Sequence, residues 1–223
     1  MLTSLGNVLP LAVGIAISPI PIIAVVLMLL SPNARGASLG FMLGWILGIA
    51  SATTLFTVLA SALPQGDSER STPIVGAITV VLGLLSIGLS VKQLRSRAPQ
   101  GTEAQLPAWM SAIDTMTVGR SLGLGILLAA LNPKNLIMAV GAGIGIGSAA
   151  LELGPLVGAI TIFTAVAAAS VAVPVLAFLV RPQTMGVFLD RLRGWLVVNN
   201  ATVMAVLLFV IGAVLLGKSM SMF

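Results

Sequence analysis

The sequence predicts an all-α integral membrane protein with six transmembrane helices arranged as two inverted three-helix repeats. Three observations predict it: too little charge to cover a soluble surface, six apolar runs of spanning length, and a proline-interrupted motif in both halves. Only 8% of the 223 residues are charged and 58% are hydrophobic, with a mean hydropathy of +1.14. Soluble domains carry about 25% charged residues.

A crossing helix needs about 20 predominantly apolar residues. By that measure the first span lies at roughly 5–30, where MLTSLGNVLPLAVGIAISPIP shows neither a basic n-region nor a small-residue cleavage site, so a permanent span is expected rather than a removed signal peptide. SPNARG leads into a second span at roughly 37–62, and PQGDSERSTP into a third at roughly 73–92. The polar stretch RSRAPQGTEAQLPAWMSAIDTMTVGR then divides the chain near its middle. Within it LPAWMSAIDTM is expected as a short interfacial helix with Trp109 at headgroup level. The fourth span, at roughly 119–147, carries ALNPKNLIMAV. The fifth and sixth follow at roughly 153–180 and 196–217, with Asn199 and Asn200 expected to cap the last.

Basic residues set the orientation. Arg35, then Lys92, Arg95, Arg97 and Arg120, then Arg181, Arg191 and Arg193 lie in the loops after spans one, three and five, against Arg70 and Lys218 on the other side. The positive-inside rule makes those loops cytoplasmic and puts both termini outside the cytoplasmic (inner) membrane. AISPIPIIAVVLM in span one echoes ALNPKNLIMAVGA in span four. Because three is odd, two similar halves of three spans must be oppositely oriented, the arrangement in which broken helices mark a transporter's central site. The expected organisation is a first repeat at 1–94, a cytoplasmic linker at 95–118 and a second repeat at 119–223.

Several classes of function are excluded or disfavoured. There is no cysteine and no histidine, which removes disulfides, thiolate chemistry and His-based metal sites. No acid lies inside a span apart from Glu152 and Asp190 near ends, so no nucleophile–base pair beyond a Ser–Lys dyad on Lys134 is open. An enzyme is not expected, nor a metal or other cofactor. The net charge of +5 is dispersed among loops, so nucleic acid is not an expected partner. GAGIGIG, Gly141 to Gly147, follows an apolar helical run rather than a strand and reads as close packing, not as a nucleotide loop.

The candidate site is at the helix breaks. Proline removes a backbone donor and clashes with the preceding turn, so Pro19, Pro21 and Pro133 should interrupt spans one and four. Ser18, Asn132 and Asn135 stand beside those breaks to serve the freed backbone groups. An ammonium at the bilayer centre costs about 2.5–3.5 kcal/mol on translocon scales. With no carboxylate partner, the counterparts of Lys134 are helix-end carbonyls, the asparagine amides or an anionic substrate group. Gly40, Gly44 and Gly48 form a small-xxx-small stripe, suited to another span of this chain or to a homodimer. Ser51, Thr53, Thr54 and Thr57 in span two, and Thr161, Thr164 and Ser170 in span five, are expected mainly to satisfy their own helix carbonyls.

LPLAVGIAISPIPIIAVVLMLLSPNARGASLGFMLGWILG resembles the glycolipid-addressing protein (GAP) family, which includes the sulfolipid-1-addressing proteins of mycobacterial-type envelopes. LNPKN in span four is similar to the asparagine-proline-lysine element of the wider lysine-exporter (LysE) superfamily. The resemblance covers essentially the whole chain. It implies a LysE-like fold and export of cell-envelope glycolipids or their precursors, with Ser18, Pro19, Pro21, Asn132, Pro133, Lys134 and Asn135 as the matching elements. Span one reads SPIP, not the glycine-proline type of the lysine exporters, which weakens an amino-acid substrate. The leading expectation is therefore an exporter of an anionic or amphiphilic lipid among membrane lipids, with Lys134 holding the head or changing protonation. Alternatives are a non-transporting accessory subunit of a larger lipid-export or synthesis complex, and a LysE-type amino-acid or small-metabolite exporter.

Overall fold

The computed structural model describes residues 2–62, 71–96, 113 and 115–220. Its described elements are all helical: α1 (Leu2–Ala16), α2 (Pro19–Leu29), α3 (Ala34–Ser61), α4 (Ser71–Arg95), α5 (Val118–Ala130), α6 (Pro133–Gly147), α7 (Leu153–Val180) and α8 (Pro182–Ser219). Four of these helices are long and apolar enough to cross a membrane, or six crossings result if each bent pair, α1–α2 and α5–α6, counts as one. Trp109 and most of the expected linker lie outside the described residues.

Both expected interruptions are present, at Pro19 and Pro133; Pro21 does not interrupt a helix, because it falls in the first turn of α2, where its missing N–H has no intrahelical partner to lose. The residue before a proline is pushed out of the α region, and Ser18 (φ −87°, ψ 112°) and Asn132 (φ −69°, ψ 121°) are accordingly extended. Pro19 and Pro133 then open the next helix at its first position, where a missing N–H costs nothing. The axes bend by 51° between α1 and α2 and by 64° between α5 and α6. Pro10 and Pro174 lie inside α1 and α7 without ending them.

Glycines set the close approaches. A Cβ on Gly40 or Gly44 would strike the backbone of Val118 or Leu122, and one on Gly48 would meet Ala129 and Ile126, so the stripe is used within the chain against α5. GAGIGIG serves two neighbours at once. Gly141 and Gly145 face Leu11 and Val8 of α1, while Gly143 and Gly147 face Phe56 and Thr57 of α3. The alternation places i, i+4 pairs on two sides of one helix, and close packing is what the pattern does.

The two halves interleave: α3 packs on α5, α1 on α7, and α4 on α8. At the α4–α8 crossing a Cβ on Gly83 would meet Leu216 and the Gly212 carbonyl, and one on Gly212 would meet Ile87 and the Gly83 carbonyl. Ser90 Oγ donates to the Ala205 carbonyl further along the same antiparallel pair, at 2.7 Å. The buried core is completed by Phe163 and by Phe41 stacked on Trp45, ring centroids 6.2 Å apart.

One expected boundary is wrong. α8 starts at Pro182, not near 196, and runs 38 residues, about 57 Å at 1.5 Å per residue. That exceeds a hydrocarbon core of about 30 Å. Asn199 and Asn200 are therefore mid-helix and not caps; Asn199 Nδ2 donates to the Trp195 carbonyl at 2.9 Å. The charges that mimicked a loop, Asp190 and Arg193, sit one turn apart on the helix as a 3.8 Å ion pair.

Candidate functional site

The two breaks leave equivalent backbone groups to be satisfied. In a continuous α1, the Gly14 carbonyl would accept from the N–H of residue 18. Pro19 offers no N–H, and Ser18 N–H turns instead to the Ile15 carbonyl at 3.2 Å. Gly14 is left with a free acceptor, and Lys134 Nζ donates to it at 2.7 Å from the other half of the chain. In α5 the corresponding carbonyl, five residues before Pro133, is that of Leu128. Asn135 Nδ2 donates to it at 3.2 Å. Asn132 caps α6, its Oδ1 accepting from Lys134 N–H at 3.0 Å.

These groups are deep. Lys134 is 2% exposed, and Ser18 and Asn135 are each 1% exposed; Pro19 and Pro21 are buried, Asn132 is half-buried and Pro133 exposed. Gly14 lies about 18 Å along the chain's helical rise from Leu2 and about 22 Å from Leu29, near the middle of the bent α1–α2 pair. Ser18 Oγ and Asn135 Oδ1 have no hydrogen-bond partner among the described residues. Satisfied buried polar groups are the rule, so the breaks retain hydrogen-bonding capacity. The structure thus brings Lys134 to the first break, where the Ser18 hydroxyl has no partner among the described residues.

Lys134 also reaches a cleft of about 360 Å³ whose lining includes Lys92 and Gln93 of α4, Ile20 of α2 and Met204 and Leu208 of α8. Lys92 was readable in the sequence only as a loop charge. Gly14 was not singled out at all, although the missing N–H of Pro19 pointed to an unsatisfied carbonyl about one turn earlier. Of the polar residues in α3, Thr57 Oγ1 and Ser51 Oγ return to the Thr53 and Gly48 carbonyls at 2.8 and 3.1 Å. The buried hydroxyls of Thr53 and Thr164 have no partner among the described residues.

No curated protein and no solved structure matches the chain. One family does, over residues 8–221, and it is described as Sap, sulfolipid-1-addressing protein. With nearly the whole sequence inside that match, including both breaks, Lys134 and the α8 wall of its cleft, the chain belongs to the sulfolipid-1-addressing protein family.

Proposed function

We propose that the protein exports an envelope lipid or glycolipid precursor across the cytoplasmic membrane, holding its anionic head at the helix breaks. The observation that carries this reading is Lys134: a buried ammonium, with no acid near it in sequence, lining a cleft that also has Lys92 on its wall. A buried cation without a carboxylate is suited to sulfate, phosphate or carboxylate. The family description supports a lipid-related role. The reading needs neither an enzymatic step nor a cofactor.

Six crossings in two inverted repeats fit this role, and the packing supports them. Both halves run broken span, long helix, long helix. At the α4–α8 crossing the contacts are reciprocal, Gly83 with Leu216 and Gly212 with Ile87, and VLGLLSIGLS over 81–90 parallels VIGAVLLGKS over 210–219. Reciprocal contact between equivalent residues is what a two-fold axis produces. The symmetry is broken where it matters: the position matching Lys134 in the first half is Ile20.

Export is tested by reconstituting the protein in liposomes and following movement of a labelled anionic lipid between leaflets. Transport that Lys134→Met lowers by about tenfold or more supports the reading, a factor matching loss of one hydrogen bond to a charged group. Full-rate movement with Lys134→Met sinks it. One observation favours a second reading, an accessory subunit that moves nothing: Lys134 is also a cap for the Gly14 carbonyl. Purified protein that moves no lipid, with Lys134→Met damaging only assembly with a partner, selects that alternative. Competition by soluble amino acids would select a small-metabolite exporter.

A further inference from the structure

We propose that the cleft at Lys134 is a side port for the head of an anionic lipid, captured at the mouth by Lys92, while the acyl chains stay in the bilayer against Leu127 and Leu131. That a lipid enters rests on the export reading above; the side entry and the role of Lys92 are independent of transport.

The port follows from how the helices pair. α3 packs closely on α5, and α4 packs on α8. The cleft is lined by Leu127 and Leu131 from α5, Lys92 and Gln93 from α4, Met204 from α8 and Lys134 from α6, so it lies between the two pairs. Its lining is graded. Lys134 and Met204 are buried, whereas Leu127 and Leu131 are 53% and 64% exposed and Lys92 is exposed with them. Such a gradient describes a cleft open at its side. Leu127 and Leu131 stand one turn apart on one helix face, and exposed leucines on a spanning helix are matched by lipid tails.

Size and charge then choose the occupant. At about 360 Å³ the cleft is near the lower end of the roughly 300–1,000 Å³ that enclose a drug-sized ligand. That is room for a head and not for two acyl chains. Both charged residues of the lining are cations, and Lys92 has no ion pair among the described residues. Basic pockets between spanning helices on the cytoplasmic side suit anionic headgroups. Lys92 occupies the last turn of α4, on the face that the positive-inside rule makes cytoplasmic. A soluble anion would use the two lysines and leave the exposed leucines without a purpose; the leucines are what point to a lipid.

The chain has no cysteine, so Leu131→Cys carries a single bimane label at the mouth. The labelled protein is placed in phosphatidylcholine vesicles containing a minor fraction of doxyl-chain lipid, whose head is either phosphatidylglycerol or phosphatidylcholine. The doxyl chain quenches bimane on contact. Phosphatidylglycerol is expected to quench at about a fivefold lower mole fraction, the size of one lysine's attraction for an anionic lipid. Lys92→Gln removes most of that preference. Arg95→Gln, which makes the same charge change in the same helical turn without lining the cleft, keeps it. A label at Val173→Cys, exposed on α7 and outside the cleft, shows no preference. Equal quenching by the two heads at Leu131→Cys overturns the port and leaves the cleft to a soluble anion. A preference that Arg95→Gln removes as fully as Lys92→Gln overturns it too. Enrichment that depends on Lys92 in a protein that moves no lipid retains the port and ends the export reading alone. Transport that depends on Lys134 without enrichment at Leu131→Cys does the reverse.

Discussion

Lys134 is held in balance. Burying its ammonium costs about 2.5–3.5 kcal/mol, and a hydrogen bond to a charged group returns about 1.5–3 kcal/mol. Lys134→Met removes both and leaves the Gly14 carbonyl unpaired, at about 1–3 kcal/mol. The expected net change in stability runs from about 1 kcal/mol gained to about 3.5 kcal/mol lost, measurable as detergent-resistant folded fraction against urea or heat. Transport by Lys134→Met is therefore read per folded molecule. Asn135→Leu follows the same logic, since it frees the Leu128 carbonyl while removing a buried oxygen that already has no partner among the described residues. A loss above about 3 kcal/mol would show an interaction beyond that one bond. At this scale the sequence was informative about which residues matter and silent about what they touch. Lys134 was conspicuous as the one cation far from either end of a span, whereas its acceptor lies 120 positions away and is a backbone atom of a glycine, which no side-chain pattern marks.

Helix contacts here are decided by missing side chains. Gly44 sits so close to the Leu122 backbone that a methyl group has no space, and forcing one in costs about 1–3 kcal/mol. Gly88 in α4 has nothing within 4 Å of a Cβ, where alanine gains about 0.5–1 kcal/mol of helix propensity. Gly44→Ala is expected to lower the melting temperature and Gly88→Ala to leave it level or raise it; the reverse order in a thermal-shift measurement would refute the assignment of the stripe to α5. The stripe itself was legible from spacing, but its partner was not, because small-residue ridges are indifferent to which helix meets them. Helix ends were less legible. Pro19 and Pro133 end helices while Pro10 and Pro174 do not, a difference set by tertiary packing and not by the residue. The start of α8 was missed because interfacial charges on a continuing helix resemble a loop.

For the whole molecule, Lys218 bonded to Asn7 and Asn33 Nδ2 bonded to the Met116 carbonyl at 3.1 Å join segments that must share a face. Both pairings agree with an even number of crossings. Taken with the clustering of arginines after α2, α4 and α7, they predict a C-terminus outside the cytoplasm. A C-terminal alkaline phosphatase fusion should be active and a C-terminal fluorescent-protein fusion dark, and the opposite result would invert the topology. Overall layout was readable because bilayer thickness imposes length and charge rules on any spanning chain. The interleaving of the halves was not, since no local pattern encodes that α3 packs on α5 rather than on its sequence neighbours.

That interleaving has a consequence for how the chain is made. α3 leaves the ribosome about eighty residues before the α5 backbone that its glycines are shaped to receive. At about 5–20 residues per second, the ridge waits on the order of ten seconds. During that interval a nascent span with its main chain laid bare along one side stands in lipid or against the insertion machinery, and any other small-faced helix that diffuses past is a competitor. Rapid delivery of the second half, or an insertase that shields the first, becomes a condition of correct assembly.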